Sequence, residues 1–203
     1  MNGGRVIVLA KAPRPGFAKN RLAADLDPPA AAAIAVVLLD RTVAALREFA
    51  QVEFRVTPDD AGAEFERWRR PEWGVRPQGD GDLGARLRRA VDEAFEVGQS
   101  RVVVVGTDCP ALSGADVREA FEALATADVV LGPAEDGGYW LVGVRAGAAA
   151  AVVFEGIPWS TPLVFEETCR RVREAGLSVH TLRRLGDVDT LEDWRRWLRS
   201  ETP

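Results

Sequence analysis

The chain has 203 residues, of which 47% are hydrophobic, and this is enough for one domain with a sizeable core. Its formal net charge is −5, whereas proteins that bind nucleic acid are usually basic, so the composition argues against a nucleic-acid partner. The single histidine, His180, excludes most mechanisms that need a catalytic imidazole. It stands in a predicted strand, where we expect a structural or surface role.

Cysteine usage and the distribution of apolar residues point to the cytoplasm. There are two cysteines, Cys109 and Cys169, and no basic segment followed by an apolar one at the N-terminus. The longest apolar stretch, residues 30–39, is shorter than the roughly 20 residues that cross a bilayer. We therefore expect a cytoplasmic protein with reduced thiols, no membrane contact and a single domain over residues 1–203.

Strands and helices are predicted to alternate along the chain. Apolar runs predict strands at residues 6–10, 52–57, 75–77, 101–106, 128–132, 139–144 and 178–182. Helical patterns lie between them, at residues 28–49, 61–70, 83–97, 114–125, 161–175 and from residue 191 onwards. Three of these helices have N-cap signals, which are Asp27, Ser113 with Asp116, and Thr190. The alternation predicts an α/β domain in which helices cover both faces of a mostly parallel sheet.

The first loop holds both lysines of the chain. It follows the first predicted strand directly, and its cations are Lys11, Arg14, Lys19 and Arg21. Ligands of open α/β sheets gather outside the carboxyl ends of the strands, so four cations at this place suit a phosphate-bearing ligand. The alternative is a basic surface turn without a ligand.

Acidic residues follow two later strands. Asp108 emerges after a run of four valines, where a carboxylate is well placed to hold Mg²⁺ together with substrate phosphates. Asp187 and Asp189 are two residues apart in a predicted extended segment, so they point to the same side, and either one is a candidate for the second metal ligand. The alternatives are a turn residue for Asp108 and ordinary acidity at a helix N-terminus for the other two.

Three further segments carry polar or glycine-rich patterns. Residues 79–84 satisfy the pattern Gly-x-Gly-x-x-Gly, but Asp80 and Asp82 would repel a pyrophosphate, so we do not expect a dinucleotide site. Asp136, with the two glycines and the tyrosine that follow it, allows close approach of a substrate; a tight turn with core aromatics is the equal alternative. Trp159-Ser160-Thr161 precedes a predicted helix, where it is a candidate site for an anion or a hydroxyl group, with helix capping alone as the alternative.

The cations and carboxylates together match a metal-bridged phosphate or diphosphate ligand. The carboxylates would hold the metal, and the metal would bridge phosphate oxygens. The lysines would neutralise the charge that develops on a departing phosphate group.

Five motifs in chain order resemble a family of GT-A-like transferases, bacterial and archaeal proteins usually described as glycosyltransferases and often encoded near radical-SAM and selenium-related genes. They are Lys11-Ala-Pro-x-Pro-Gly-x-x-Lys-x-Arg-Leu22, Gly79-Asp-Gly-Asp-Leu-Gly-x-Arg-Leu87, Gly106-Thr-Asp-Cys-Pro-x-Leu112, Leu131-Gly-Pro-Ala-x-Asp-Gly-Gly-Tyr-x-Leu-x-Gly143 and Trp159-Ser-Thr161. The first loop is also similar to that of 2-phospholactate guanylyltransferases, and residues 187–193 to the ending of several sugar nucleotidyltransferases. One position departs from the pattern, because Asn20 stands where these relatives usually have threonine.

The resemblance implies a GT-A fold, which is a Rossmann-like three-layer α/β/α architecture with a mostly parallel sheet. It implies Mg²⁺ or Mn²⁺ on Asp108 and on Asp189 or Asp187. The implied catalytic residues are Lys19, Arg21, Asp108 and Asp136. The nucleotide would contact a larger set, which is Lys11, Pro15, Gly16, Lys19, Arg21, Gln78, Asp80, Gly81, Asp82, Leu83, Gly84, Arg86 and Thr107. The second substrate would contact Asp136, Gly137, Gly138, Tyr139, Trp159, Ser160 and Thr161.

Three functions follow from these residues, and the favoured one is nucleotidyl transfer. In it a phosphorylated or phosphonate acceptor attacks the α-phosphate of an NTP, because a cation-rich loop is most useful when β- and γ-phosphates must be neutralised. The second is glycosyl transfer from a nucleotide-sugar, with Asp136 as a candidate base. The third is a nucleotide- or sugar-binding module in which the acids only cap helices. The sequence does not specify the base, the acceptor or the oligomeric state.

Overall fold

The computed structural model of the chain describes residues 4–148 and 150–201 and is built on one seven-stranded sheet. The strands are β1 (Gly4–Lys11), β2 (Val52–Thr57), β3 (Gly74–Pro77), β4 (Arg101–Val105), β5 (Val129–Pro133), β6 (Tyr139–Arg145) and β7 (Val179–Thr181). Their order is β3-β2-β1-β4-β6-β5-β7, and every pairing is parallel except those of β6 with β4 and β5. The predicted mostly parallel sheet is confirmed.

Helices cover both faces of this sheet. They are α1 (Pro28–Ala45), α2 (Leu83–Glu96), α3 (Gly114–Ala123), α4 (Ala150–Phe154), α5 (Val164–Glu174) and α6 (Leu191–Glu201). Successive residues of β1 point to opposite faces, so Val6 and Val8 pack with α1 and α3 while Ile7 packs with α2, α4 and α5. The result is the three-layer α/β/α arrangement that the resemblance implied.

Side-chain caps fix where the helices next to the site begin. Asp27 and Asp82 each accept a hydrogen bond from the amide three residues further on, at 2.7 and 2.8 Å. Ser113 and Asp116 form the predicted capping box. These caps satisfy amides that the first helical turn leaves without partners, so α1, α2 and α3 begin where the sequence predicts.

Two helices in the N-terminal half differ from the prediction. Helix α1 ends at Ala45 rather than Phe49, because Leu46 and Phe49 leave the helix and turn into the core. Residues 61–70 form no α-helix; a 3-10 helix, Asp59–Phe65, is followed by turns. Ala61, Phe65 and Trp68 nevertheless pack into the core, at a spacing that an α-helical face would also have.

The C-terminal half also differs in two places. Helix α4 was not predicted, because five residues are too few to show a periodic pattern. Helix α5 begins at Val164 rather than at Thr161. The Thr161 hydroxyl donates to the Pro158 carbonyl at 2.7 Å and accepts from the Leu163 amide at 3.3 Å, so it closes a turn before the helix.

Helix α1 is unusually apolar. With 18 residues and a mean hydropathy of 1.4, it is the one helix among the described residues that is long and apolar enough to cross a bilayer. The apolar stretch considered from sequence alone is residues 30–39, which are fewer than the 18 residues of the whole helix. In the fold, Ile34 and Leu38 lie in a buried cluster against which Trp194 and Trp197 of α6 pack. A core helix satisfies the same criteria of length and composition.

A glycine sets the contact between the sheet and the C-terminal part of the chain. A Cβ on Gly132 would lie 2.6 Å from Cζ2 of Trp140, so glycine lets the indole lie against β5. The indole Nε1 donates to the Arg183 carbonyl at 3.2 Å. Trp140 therefore joins β6 to the segment that leads to Asp187 and Asp189.

We expect Gly132→Ala to destabilise the fold by about 1 to 3 kcal/mol, because Trp140 must shift within a packed core. Gly62→Ala is the matched control, since a Cβ there meets nothing within 4 Å. Its free energy of unfolding should change by less than about 0.5 kcal/mol. Chemical denaturation measures both variants, and equal effects would contradict the packing role of Gly132.

Candidate active site

A cleft of about 920 Å³ opens at the carboxyl ends of β1 and β4. Its walls come from the first loop, the segment before α2, the segment after β4, the turn before β6 and the segment before α5. Because β6 runs antiparallel to β4, the turn that precedes β6 reaches the same edge of the sheet. This is the edge where open α/β sheets bind ligands, so the cleft is the candidate active site.

Lys19 connects the first loop to the segment after β4 and to the segment that carries Asp189. Its Nζ lies 2.5 Å from Asp108 Oδ1 and 3.4 Å from Asp189 Oδ1, and it donates to the Val188 carbonyl at 2.6 Å. Arg21 Nη1 lies 3.1 Å from Oδ2 of Asp189. The structure thus brings together four residues that the sequence singled out in three distant segments.

Exposure differs strongly within this cluster. The Lys19 side chain is 8% exposed, whereas that of Asp108 is 53% exposed and that of Arg21 is 75% exposed. An ammonium removed from water needs charged or hydrogen-bonding partners, and here they are two carboxylates and a carbonyl. The Lys19 backbone also has a φ of 55°, a left-handed conformation that costs free energy for residues other than glycine. The contacts of the ammonium offset both costs.

Asp189 reaches the cleft on what we call the C-terminal strap, residues 182–189. Its backbone bonds across the ends of the strands, with the Leu185 amide donating to the Pro133 carbonyl at 3.1 Å and the Val188 amide to the Asp108 carbonyl at 2.9 Å. Val188 is buried, and the acids on either side of it line the cleft. The structure therefore places both acids on the same side of the chain, as an extended segment requires.

An ion pair that sequence analysis missed anchors the strap. Arg183 donates to both oxygens of Asp116, at 2.6 and 2.7 Å, and to the Ala111 carbonyl at 2.9 Å. Burial raises the pKa of Asp116, but hydrogen bonds from Arg183 and Ser113 outweigh it, and the pKa lies below its usual value. Asp116 had a signal as part of a capping box, whereas nothing in the sequence pairs it with an arginine 67 residues away.

Asp187 lies on the acidic side of the cleft and has no ion pair with a described residue. Burial, and then the charge of Asp136, raise its pKa to about 6. Asp189, by contrast, is paired with two cations of the first loop. Of the two candidate metal ligands that the sequence left open, Asp189 is the one that shares a cation with Asp108.

The cations of the first loop divide between two places. Lys11, at the end of β1, is exposed and lines the cleft with Lys19 and Arg21. Arg14 lies outside the cleft lining, and its guanidinium binds Glu64, a hydrogen bond that raises the pKa of the arginine. The expectation that four cations share one rim is therefore wrong for Arg14, and three line the cleft.

The segment before α2 forms one wall and is held from inside the protein. The buried Gln78 amide donates to the carbonyls of Ala10 and Arg55 at 3.1 and 3.0 Å, which joins this segment to β1 and β2. Arg86 donates to Gln78 Oε1 at 3.3 Å and to the Gly81 carbonyl at 2.9 Å. Both side chains shape the wall, and their contact with a nucleotide stays a prediction.

Tyr139 and Trp159 form an aromatic corner on the other side. Their ring centroids are 6.1 Å apart and the rings are nearly perpendicular, at 81°. Burial raises the pKa of Tyr139, whose hydroxyl is turned into the protein. The residue therefore lines the cleft with its aromatic ring and not with its hydroxyl group. A Cβ on Gly84 would lie 2.5 Å from Trp159 Nε1, so this glycine seats the indole against α2.

The turn before β6 is closed by Asp136 itself. Its Oδ1 accepts a hydrogen bond from the Gly138 amide at 2.8 Å, while the residue remains exposed. Gly137 has a φ of 90°, and a Cβ there would lie 2.6 Å from Cα of Pro162. Gly137 therefore packs the turn against the segment before α5, which contributes Ser160 and Thr161 to the cleft.

Most predicted site residues line the cleft, and five do not. The exceptions are Pro15, Gly16, Asp80, Gly84 and Gly137. The last two are explained by packing, and Gly16 shapes the first loop with a φ of 75°. The Asp80 carbonyl accepts from Arg89 at 2.7 Å, so its place in the pattern is that of a turn residue. The others line the cleft, namely Lys11, Lys19, Arg21, Gln78, Gly81, Asp82, Leu83, Arg86, Thr107, Asp108, Asp136, Gly138, Tyr139, Trp159, Ser160, Thr161, Asp187 and Asp189.

The oxygens around Lys19 suit a divalent cation that completes its coordination with substrate. One oxygen each of Asp108 and Asp189 and the Val188 carbonyl converge on a single cationic atom. Within residues 4–148 and 150–201, no group of three or more His, Cys, Asp or Glu is arranged to hold a metal by itself. Proteins usually hold Mg²⁺ with one or two carboxylates plus phosphates and water. The residues present fit a metal that binds together with phosphates.

Two relatives that are more than 30% identical to this chain are named as transferases, and a third, more distant protein shares only its fold. The 2-phospho-L-lactate guanylyltransferase of Methanopyrus kandleri is 32% identical over 184 residues, which are 88% of this chain and 83% of that protein. A crystal structure from Desulfovibrio desulfuricans G20, provisionally described as a nucleotide-diphospho-sugar transferase, matches with a TM-score of 0.92 and 31% identity over 100% of this chain and 89% of that one. Rv0371c from Mycobacterium tuberculosis H37Rv, solved in complex with manganese, shares the fold with a TM-score of 0.59 and 19% identity over 98% of this chain and 100% of that one.

The fold, the cleft and these relatives define a transferase of the GT-A-like, nucleotidyltransferase-related class. Within that class, the chain belongs to the family described as "Uncharacterized protein conserved in bacteria (DUF2064)", whose model matches residues 39–161. The matched region contains Asp108 and Asp136, while Lys19 and Asp189 lie outside it. The relatives favour an enzyme over the non-catalytic binding module that the sequence left open.

In the protein without ligands, Asp187→Asn should stabilise the fold at pH 7 but not at pH 4. The folded-state pKa of about 6 lies above the ordinary value of 3.8, so the native state binds the proton more tightly than the unfolded chain. Wild-type protein therefore loses stability as pH rises from about 4 to about 6, whereas the amide does not titrate. Thermal unfolding of both proteins across this range measures the difference.

Asp128→Asn is the control of opposite sign for this experiment. Hydrogen bonds from Ser178, and then Arg145, hold the pKa of Asp128 at about 2, so its carboxylate stabilises the fold above that pH. Its amide variant should be less stable than wild type at pH 7. A stability difference for Asp187→Asn that does not change with pH would contradict the raised pKa.

Proposed function

We propose that this protein is a cytoplasmic nucleotidyltransferase that uses Mg²⁺ or Mn²⁺ and transfers a nucleoside monophosphate from an NTP to a phosphorylated or phosphonate small molecule. The observation that carries the proposal is the single ammonium of Lys19 that joins Asp108 and Asp189 at the cleft. The guanylyltransferase relative supports nucleotidyl transfer in general. The whole chain would act as one domain around this cleft.

In this proposal the first loop binds the part of the nucleotide that leaves. Lys11, Lys19 and Arg21 line the cleft at the end of β1, where they would contact the β- and γ-phosphates. Negative charge accumulates on these phosphates as pyrophosphate departs. Cations that contact these phosphates in the complex would stabilise the transition state more than the ground state.

Asp108 and Asp189 would hold the divalent cation. When bound, the metal supplies charge neutralisation and polarises phosphate oxygens. The two carboxylates come from the end of β4 and from the C-terminal strap, so the metal site depends on how these two segments are held together. The manganese complex of a protein with the same fold supports this choice of ion.

The transfer itself makes one bond and breaks one bond. An acceptor oxygen attacks the α-phosphorus, and the bond from that phosphorus to the bridging oxygen of pyrophosphate breaks, so the electron pair leaves with pyrophosphate. A phosphate or phosphonate oxygen is already ionised near neutral pH and needs no general base. This suits a cleft whose described lining contains no histidine.

Glycosyl transfer is the second candidate, and the chemistry of the acceptor side favours it. Between residues 134 and 164, the described residues that line the cleft include Asp136, Tyr139 and Trp159 but no lysine or arginine. A hydroxyl acceptor needs a base, and the exposed Asp136 is available for that role. The relative from Desulfovibrio desulfuricans supports this reading.

Two assays separate these candidates. Pyrophosphate release is measured with each NTP, Mg²⁺ and phosphorylated or phosphonate acceptors, beginning with 2-phospho-L-lactate because a relative bears its name. Hydrolysis of nucleotide-sugars is measured in parallel without an acceptor. Acceptor-dependent release of pyrophosphate supports nucleotidyl transfer, whereas turnover of a nucleotide-sugar with no reaction of any NTP supports glycosyl transfer.

Asp108→Asn should lower kcat/KM by roughly a hundredfold or more while leaving the fold intact, because an amide is a poor metal ligand and the residue is exposed. Asp60→Asn is the matched control, since Asp60 is an exposed acid that pairs with Arg14 outside the cleft. It should keep near wild-type activity. Unfolding of Asp108→Asn, seen by circular dichroism, would show instead that the residue is structural.

Lys19→Ala should weaken binding of a nucleoside triphosphate by about tenfold or more and binding of the monophosphate by less than about threefold, because the ammonium is expected at the distal phosphates. Arg14→Ala removes a cation from the same loop whose guanidinium faces Glu64, so it should change neither affinity. Isothermal titration calorimetry measures the dissociation constants of both nucleotides for the wild type and for both variants. Equal losses for both nucleotides would contradict a role at the distal phosphates.

A further inference from the structure

We infer that Lys19 is an internal counter-cation that occupies the metal position in the ligand-free protein and leaves it when metal and phosphates bind. The inference rests on the metal site of the proposed function and adds an order to its assembly. It assigns the lysine two successive partners, first the carboxylates and then the phosphates of the nucleotide.

Three oxygens converge on the ammonium nitrogen of Lys19. The Lys19 Nζ contacts Asp108 Oδ1 at 2.5 Å, the Val188 carbonyl at 2.6 Å and Asp189 Oδ1 at 3.4 Å. These are two charged oxygens and one neutral oxygen from separate segments. Without a cation between them, the two carboxylates would repel each other. The ammonium therefore does the electrostatic work of a metal ion.

The ammonium and a metal compete for the same oxygens. Mg²⁺ needs oxygens at about 2.0 to 2.1 Å, and two cations on one carboxylate oxygen repel each other strongly. The Lys19 side chain is only 8% exposed, so it is enclosed at this position rather than sampling solvent. A metal that binds Asp108 and Asp189 together must displace it.

The displaced ammonium moves to the phosphates of the nucleotide. Lys19 lines the cleft together with Lys11 and Arg21 of the same loop. The proposed function puts the phosphates beside these cations. The Lys19 backbone has a φ of 55°, a conformation that costs free energy for residues other than glycine. The ion pairs of the ammonium offset this cost, so their loss allows the backbone to relax. Phosphates supply the negative charge that the carboxylates cede to the metal. Metal and triphosphate should therefore bind with positive coupling.

The matched control is the neighbouring cation Arg21. It also pairs with Asp189, at 3.1 Å, but it is 75% exposed and makes no ion pair with Asp108 among the contacts of the described residues. Its removal takes away one positive charge near the same carboxylate without emptying the shared position. It thus separates displacement from a general change in charge.

The experiment measures Mn²⁺ binding to the full-length protein without nucleotide, by electron paramagnetic resonance of free Mn²⁺. We expect Lys19→Met to bind Mn²⁺ about tenfold or more tightly than wild type, and Arg21→Met less than about threefold more tightly. Lys19→Gln serves as a second variant if Lys19→Met is poorly folded. Equal gains for the Lys19 and Arg21 variants, or no gain for either Lys19 variant, would overturn the inference.

A second measurement needs no change at Lys19. The chain has two lysines, so labelling with ε-¹³C lysine gives two side-chain signals, which Lys11→Arg assigns. Addition of Mg²⁺ with a non-hydrolysable triphosphate should shift the Lys19 signal as it changes partners. The inference also fails if that signal is unmoved while the nucleotide binds. Failure of the proposed function is recognised separately, by the absence of pyrophosphate release from wild-type enzyme.

Discussion

The candidate site depends on one electrostatic constraint, the burial of a lysine ammonium between two carboxylates. Lys19 is 8% exposed, and burying a charge to this extent is tolerated only where oxygens surround it. Asp108 and Asp189 satisfy this need from two neighbouring segments, and the cation reduces the repulsion between the two carboxylates. The three charged groups therefore stabilise one another at the cleft.

The fold provides the rigid frame for this contact. Asp108 lies three residues after the end of β4, which is buried between β1 and β6, so the sheet delivers it to the cleft. Asp189 has no strand of its own and depends on the C-terminal strap. That strap is fixed by the Arg183–Asp116 ion pair and by the hydrogen bond from the Trp140 indole. Catalytic precision at such a site comes from supporting contacts of this kind.

The sequence predicts the charged members of the site well, because their signals are local. A valine run predicts the strand that delivers Asp108, and clustering of both lysines in one loop marks Lys19. Long-range partners leave no such signal. Arg14 is a cation of the kind that binds phosphate, but it binds Glu64, 50 residues away. Arg183 could not be matched to Asp116 without knowledge of the fold.

Glycines in the motifs also show what sequence analysis cannot determine. Gly84 and Gly137 look like places where a substrate approaches the backbone, yet their missing side chains make room for Trp159 and Pro162. Pattern alone cannot separate close packing from ligand contact, since both require the absence of a Cβ.

A crystal structure with a non-hydrolysable NTP and Mg²⁺ tests the central claim most directly. The account predicts the triphosphate against the first loop, the metal on Asp108 and Asp189, and the Lys19 ammonium on phosphate. A nucleotide bound outside the cleft, or bound within it while Lys19 still joins both carboxylates, would contradict the account.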